Sequence, residues 1–334
     1  MTVPAPVLTC RDPGDLAALV PRLVGFAPSE SLVVLSLRGP RRRIGLTVRA
    51  DLADVPLLIR QIGEGLVRDG ARAAVLVVHS HEPGVDGHPW SELVSEVEQA
   101  LAGRGIEVTE ALLVRGGRWW SYSCTAPCCP PTGRPVDTGS ALVTAAASEQ
   151  AYDGRAVLAS REELVASVAP QPPLGAALAR RLQAQARQAL EGRRPAGRRG
   201  DAELDRWRRA LDSWESRPAP LPPADAAALA LALHVVEVRD AVLSWSGPRR
   251  DALLGLLGQL SRGVVPPDDA PLCAVLAGVA YAHGNGALAL VAVQRALSTD
   301  PGYGLAQLLL AALDGLLPPA QVRAALAAGP DGAG

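Results

Sequence analysis

Lysine is absent from the chain: all 33 basic residues are arginine. That absence excludes several chemistries in their standard form. A P-loop needs a lysine on the phosphates. A pyridoxal phosphate enzyme needs one for its Schiff base. Protein kinases and Ser-x-x-Lys acyl enzymes need one as well. Aromatic residues are also scarce, with Phe26 the single phenylalanine. Large rings therefore stand out wherever they cluster. Long apolar runs are missing too. The run over residues 226–236 carries no charge but is too short to span a bilayer, so no membrane segment is expected. The first 15 residues lack a basic stretch and an apolar core, so no secretory signal is expected either. The five cysteines, Cys10, Cys124, Cys128, Cys129 and Cys273, are an odd number. In a large chain without a signal they fit reduced thiols in a cytoplasm better than a disulfide framework. Arginine without lysine, together with abundant Ala, Gly, Pro and Leu, fits coding bias in a GC-rich bacterial genome.

What is present reads as globular: 48% apolar and 20% charged residues over a length that suggests two domains. Apolar residues at helical spacing predict a short helix from Asp12 and another over 54–68. Between them Ser31–Leu37 is a buried-strand run. Arg38 to Arg43 makes a turn, and residues 44–48 alternate, which predicts a hairpin. A strand over 72–78, a helix over 90–102 and a strand over 108–114 follow. Gly116-Gly117 then turns the chain into an extended Arg118–Ser123. Two helical crossovers imply parallel neighbours and two tight turns imply antiparallel ones. The expectation is an α/β domain over residues 1–170 with a mixed sheet covered by helices. Short helices over 140–150 and 161–168 complete it.

Residues 171–222 read as an arginine-rich helix and linker. Within them Gly175 to Gly200 carry seven arginines against one acid, Glu191. Residues 223–330 read as an all-α domain, with helical spacing over 224–242, 249–260, 271–281, 286–297 and 304–313. Leu276, Ala277, Gly284, Ala289, Ala296 and Pro301 resemble a tetratricopeptide repeat, in which small residues let two antiparallel helices pack closely. Tyr281 sits one place past the usual aromatic, and Cys273 and Val293 replace others. The run Gly284-Asn-Gly286-Ala-Leu-Ala289 also matches a dinucleotide fingerprint. No strand precedes it, so it is read as a hairpin turn.

Three groups of residues could carry chemistry. The first is Arg118-Trp119-Trp120-Ser121-Tyr122-Ser123-Cys124 with Cys128 and Cys129. On a strand Trp120 and Tyr122 share a face and could stack on a base or sugar. The plain alternative is that the rings cover a core poor in aromatics. Cys124, Cys128 and Cys129 supply three thiols, where a structural zinc usually takes four ligands in paired spacing. Adjacent cysteines do not easily point at one ion. Zinc, redox chemistry and ordinary thiols all stay open, and no other cofactor is expected.

The second group, His79, His81, Glu82, Asp86 and His88, follows the strand over 72–78, where α/β proteins usually place their sites. A metal shell or polar ligand site competes there with a solvated loop. If strands 72–78 and 108–114 are parallel, the cysteines fall toward the other end of the sheet, away from the His loop. The third group is Arg180 to Arg209 with Arg41-Arg42-Arg43. Arginine suits phosphate contacts, yet the chain has net charge −1 and a solvated segment is the simpler reading.

The chain as a whole resembles an actinobacterial family, DUF4192, a domain of unknown function. The residues that carry the resemblance are Gly25-Phe26-Ala-Pro28-Ser-Glu30-Ser31-Leu-Val-Val and Ala111 through Cys124. Cys128-Cys129-Pro-Pro, Leu288 through Pro301 and Leu305-Ala-Gln307-Leu continue it. The resemblance implies an architecture and a bacterial cytoplasm but no activity. Without a recognisable catalytic motif, the first expectation is a non-catalytic interaction or regulatory protein that holds a protein partner on its helical half. A small-ligand-binding protein or hydrolase-like enzyme using His79, His81 and Asp86 comes second, and nucleic-acid association third.

Overall fold

A computed structural model describes residues 9–10, 12–83, 88–152, 157–171, 175–192, 200–245, 247 and 249–328. The chain divides into two compact units, Met1–Arg161 and Glu162–Gly334. The first is the expected mixed sheet with helices, and the second contains helices alone among the described residues.

The first unit opens with α1 (Pro13–Val24). Asp12 starts it because its side chain accepts the Asp15 amide at 3.1 Å while Asp15 accepts the Asp12 amide at 3.4 Å, which satisfies two orphan donors at once. Gly25 stops it in the left-handed region at φ 95°. Then follow β1 (Ser31–Arg38), β2 (Arg43–Asp51), α2 (Val55–Arg68), β3 (Ala71–His79), α3 (Ser91–Ala102), β4 (Glu107–Arg115), β5 (Arg118–Ser121), β6 (Arg134–Pro135) and α4 (Ala141–Tyr152).

The six strands run in the order β2-β1-β3-β4-β5-β6. Only β3 and β4 pair in parallel. The two-crossover expectation is therefore half met. The α3 crossover joins parallel neighbours, but the α2 crossover carries the chain past β1, so β3 pairs with β1 antiparallel. The reason lies in burial. Seven of the eight residues of β1 are buried, and a strand apolar on both faces is stable only in the middle of a covered sheet. Helices α2 and α3 pack on each other, as do α1 and α4. Gly14 of α1 lies against the inward ring of Trp119 on β5. Tyr122, of opposite parity, reaches Pro89 ahead of α3. The two helix pairs thus cover opposite faces.

In the second unit α5 (Arg161–Val168), α6 (Ala176–Glu191) and α7 (Asp201–Ser216) precede α8 (Pro223–Ala232), α9 (Val236–Ser244), α10 (Arg250–Gly263), α11 (Ala270–Ala282), α12 (Gly286–Thr299), α13 (Gly304–Asp314) and α14 (Pro319–Ala328). Every residue of α11 is buried, and α9, α10, α12, α13 and α14 all pack against it. A helix apolar all round is a core helix. The single helix expected over 224–242 is two. Leu233, His234 and Val235 close a turn onto Ala230, Leu231 and Ala232. The apolar pattern runs on through the break, so nothing in composition marks it.

Helices α6 and α7 lie within the span read as an arginine-rich linker, and they are packed members of this unit. Ala179 and Gln183 of α6 and Trp207 and Leu211 of α7 are buried. The Gln183 amide pairs with both backbone groups of Val265, donating at 2.8 Å and accepting at 3.0 Å, and also donates to Asp268 at 2.9 Å.

Candidate functional site

The carboxyl end of β3 gathers a group of buried and half-buried polar side chains, His79, Ser80 and Glu30. His79 pairs with Ser31 of β1 and Val114 of β4 and is 7% exposed. Its Nε2 has no hydrogen-bond partner among the described residues. Burial pushes its pKa down to about 4, because a low-dielectric setting disfavours the charged imidazolium. Buried polar atoms are almost always paired, so an unpaired imidazole nitrogen asks for a partner.

Next to it, the Ser80 hydroxyl donates to Glu30 at 2.9 Å and accepts from the Trp90 indole at 3.2 Å and the Glu82 amide at 3.1 Å. The other Glu30 oxygen accepts the His81 amide at 2.7 Å. Both Glu30 (φ 41°) and Trp90 (φ 67°) lie in the left-handed region, which costs non-glycine residues about 1–3 kcal/mol each and clusters at ligand clamps and active sites. Two such residues are thus fastened to one serine at the end of the strand.

The aromatic hairpin adjoins this end. Trp119 faces inward, with Arg134 over its ring at 5.2 Å. Trp120 carries Arg115 at 5.2 Å, lies against the backbone of Gly133 and donates to the Pro131 carbonyl at 2.9 Å. Gly133 sits at φ 70°, where only glycine allows so close an approach to a ring. Arg118 donates to the Thr132 and Gly133 carbonyls, each at 2.7 Å. The Tyr122 hydroxyl donates to the Pro89 carbonyl at 2.7 Å, and burial pushes its phenol pKa up. His88 meets Tyr122 edge-on at 5.5 Å and Trp120 at 6.4 Å. Burial, then the Arg115 charge, lowers the His88 pKa.

The stacking surface expected of Trp120 and Tyr122 is thus largely filled from within. The rings clamp residues 130–133 on one side and the return of the His loop on the other. That loop and the aromatic strand meet through His88. His79 and His81 do not share a face: the strand ends at His79, so alternation stops, and His81 is exposed while His79 is buried. Asp86 lies outside the described residues.

The three thiols do come together. Their sulfurs all lie within 4.8 Å of one another, and among the described residues no other group of His, Cys, Asp and Glu does this. The Cys129 amide donates to the Ala126 carbonyl at 2.8 Å, closing a turn that lets adjacent Cys128 and Cys129 both approach Cys124. The Cys124 amide is held by the Ser121 hydroxyl at 3.3 Å, which itself donates to Glu110 at 2.7 Å. An N–H···S bond from the Ala126 amide, then bonds from the other two thiols, lower the Cys124 pKa. Burial and its two thiol neighbours raise that of Cys129 to about 12.

In the arginine-rich stretch, Arg187 pairs with the buried Asp268 and Arg208 pairs with Asp205 at 2.7 Å and lies over Trp245. Residues 193–199, its centre, lie outside the described residues. The residues that sequence reasoning passed over are Glu30, Ser80 and Trp90. A signal for Glu30 existed: an acid directly before a largely apolar strand, inside the segment that carries the family resemblance.

The architecture defines a protein with a mixed α/β unit followed by a helical unit, with the candidate residues of the first unit at the carboxyl end of β3 and along the β5 hairpin. The chain belongs to the family described as Domain of unknown function (DUF4192), whose family model matches residues 13–320. No curated protein and no solved structure matches it. Among the described residues no helix is long and apolar enough to cross a membrane.

Proposed function

We propose that the chain is a small-ligand-binding protein that holds a polar molecule at the carboxyl end of β3, with His79 as its inner hydrogen-bond partner and the Glu30–Ser80–Trp90 cluster as its rim. One observation carries this reading. A buried imidazole whose Nε2 is unpartnered among the described residues stands beside two non-glycine residues in the left-handed region, both bonded to one serine. The position supports it, since sheets with parallel pairs bind ligands outside the carboxyl ends of their strands. A neutral imidazole suits an uncharged or anionic hydrogen-bonding group. A thermal-shift screen of the full chain against nucleosides, sugars and carboxylic acids tests it. A compound present at about 100 times its dissociation constant stabilises the folded state by about 2.7 kcal/mol. We expect such a shift in the parent and its loss in His79→Leu and Glu30→Gln. A flat screen, with His79→Leu more stable than the parent, would reduce His79 to an imperfectly packed core residue.

A second reading places a protein partner on the helical unit, in a cytoplasmic, actinobacterial setting. It is favoured by the hairpin of α11 and α12, tetratricopeptide-like in its small residues. Asn285 caps α12 through the Leu288 amide at 3.1 Å, and Pro301 follows the helix. Its outer neighbour α13 exposes Leu308 at 71%. A partner cross-linked to the full chain in native lysate should be lost with Leu308→Glu and kept with His79→Leu. The same partner captured equally by all three forms counts against this surface.

A further inference from the structure

We infer that Cys124, Cys128 and Cys129 form a zinc site with three thiolate ligands and a fourth position filled by an exchangeable water. A tetrahedral ion with bonds of about 2.3 Å to sulfur separates its thiolates by about 3.8 Å. The Cys124 and Cys128 sulfurs are 3.8 Å apart, well beyond the ~2.05 Å of a disulfide, and the third sulfur lies within 4.8 Å of both. All three are free thiols.

The surroundings are built for ligation. Ser121 fixes the Cys124 backbone and is itself fixed by Glu110, the kind of outer support that orients a metal ligand. Prolines 127, 130 and 131 stiffen the loop between and after the ligands. Soft thiolates select zinc or copper(I) over hard ions.

Binding is a proton exchange. Three thiols and one hydrated zinc ion give a tris-thiolate zinc–water complex of net charge −1 and release three protons, with no change of oxidation state. The ion would tie together a loop whose Pro131, Thr132 and Gly133 carbonyls hold Trp120 and Arg118. It thereby fastens the outer edge of the sheet, a task separate from the ligand end of β3.

The test uses the full chain purified without chelator from zinc-supplemented cells. Elemental analysis should find one zinc per chain. Cobalt(II) exchanged into the protein should show intense sulfur-to-metal charge-transfer bands. Both should be lost in Cys124→Ser and Cys128→Ser, and both kept in Cys10→Ser and Cys273→Ala. Because a ligand variant could unfold, circular dichroism of each is compared, and thiol titration of the parent is run alongside. In the native zinc form a chelator should expose three further cysteines to the thiol reagent, while the buried Cys273 stays protected with or without it. A folded parent with no zinc, no cobalt spectrum and freely reactive thiols overturns the site. So does uptake of copper(I) alone, and so does metal retained in a folded Cys128→Ser protein.

Discussion

Replacing Arg295 with methionine is expected to destabilise the second unit by about 3–5 kcal/mol, the usual cost of leaving a buried charge without its partner. The guanidinium of this α12 residue is a hub. It donates to Asp269 through Nε at 2.9 Å and Nη2 at 2.8 Å, to the Ser261 carbonyl at 2.7 Å, to the Val264 carbonyl at 2.8 Å and to the Val168 carbonyl. Its side chain is 12% exposed and that of Asp269 1%. Methionine keeps the volume but strands the carboxylate and three carbonyls. Arg295→Lys should recover only part of the loss, because an ammonium cannot reproduce a planar fork reaching four acceptors. The double replacement Arg295→Met/Asp269→Leu should cost less than Arg295→Met alone, since it removes the orphaned charge. Urea unfolding, with hydrogen exchange of the α11 and α12 amides to localise the effect, measures this. A double variant as unstable as the single one would mean that the ion pair is not what matters.

Acidification should weaken the first unit through His79. The unfolded imidazole has a pKa near 6.5, while the folded one is depressed to about 4. Between these values the unfolded chain binds more protons than the folded one, so stability rises with pH. The neutral buried histidine is fully tolerated above the unfolded value. Its contribution is lost as pH falls from 6.5 towards 4, with a slope of at most about 1.4 kcal/mol per pH unit. In His79→Leu this part of the slope should vanish, whereas His81→Leu, exposed and outside the strand, should keep it. Identical slopes in the parent and His79→Leu from pH 4 to 6.5 would show that the histidine is hydrated rather than buried dry. A ligand hydrogen-bonded to neutral His79 would carry the dependence to lower pH.

The alternation and helical spacing of the first 123 residues were enough to order its elements through β5, because each strand there is bounded by turn residues and each early helix by polar ones. The order of the strands in the sheet was not legible. It depends on which strand has two apolar faces to bury, a comparison across distant segments. Residues 175–216 misled more deeply. Their arginines suggested solvation, yet Trp207 is fully buried with its indole donating to the Leu229 carbonyl at 3.1 Å. One apolar stripe on a charged helix is enough to dock it. At the site, the cysteines were visible as residue types, but their convergence needs the turn at 126–129. Ser80 stayed hidden because a single serine carries no spacing, and the acid before β1 marked Glu30 without naming its partner. They meet only when β1 and β3 lie side by side.

The outer edge of the sheet has a consequence of its own. β6 is two residues long and one of them is Pro135, which offers no amide to a further strand. Val136 spends its amide on the Gly117 carbonyl at 2.9 Å. The sheet is thereby closed to recruitment of another chain on this side. The cover is only as secure as the loop that delivers it, and that loop is the one the three thiols gather. Were it released, the Arg-Trp-Trp-Ser strand would become an uncovered, aromatic-rich edge. Oxidation or metal stripping at the thiols would then show itself first as self-association rather than as lost binding.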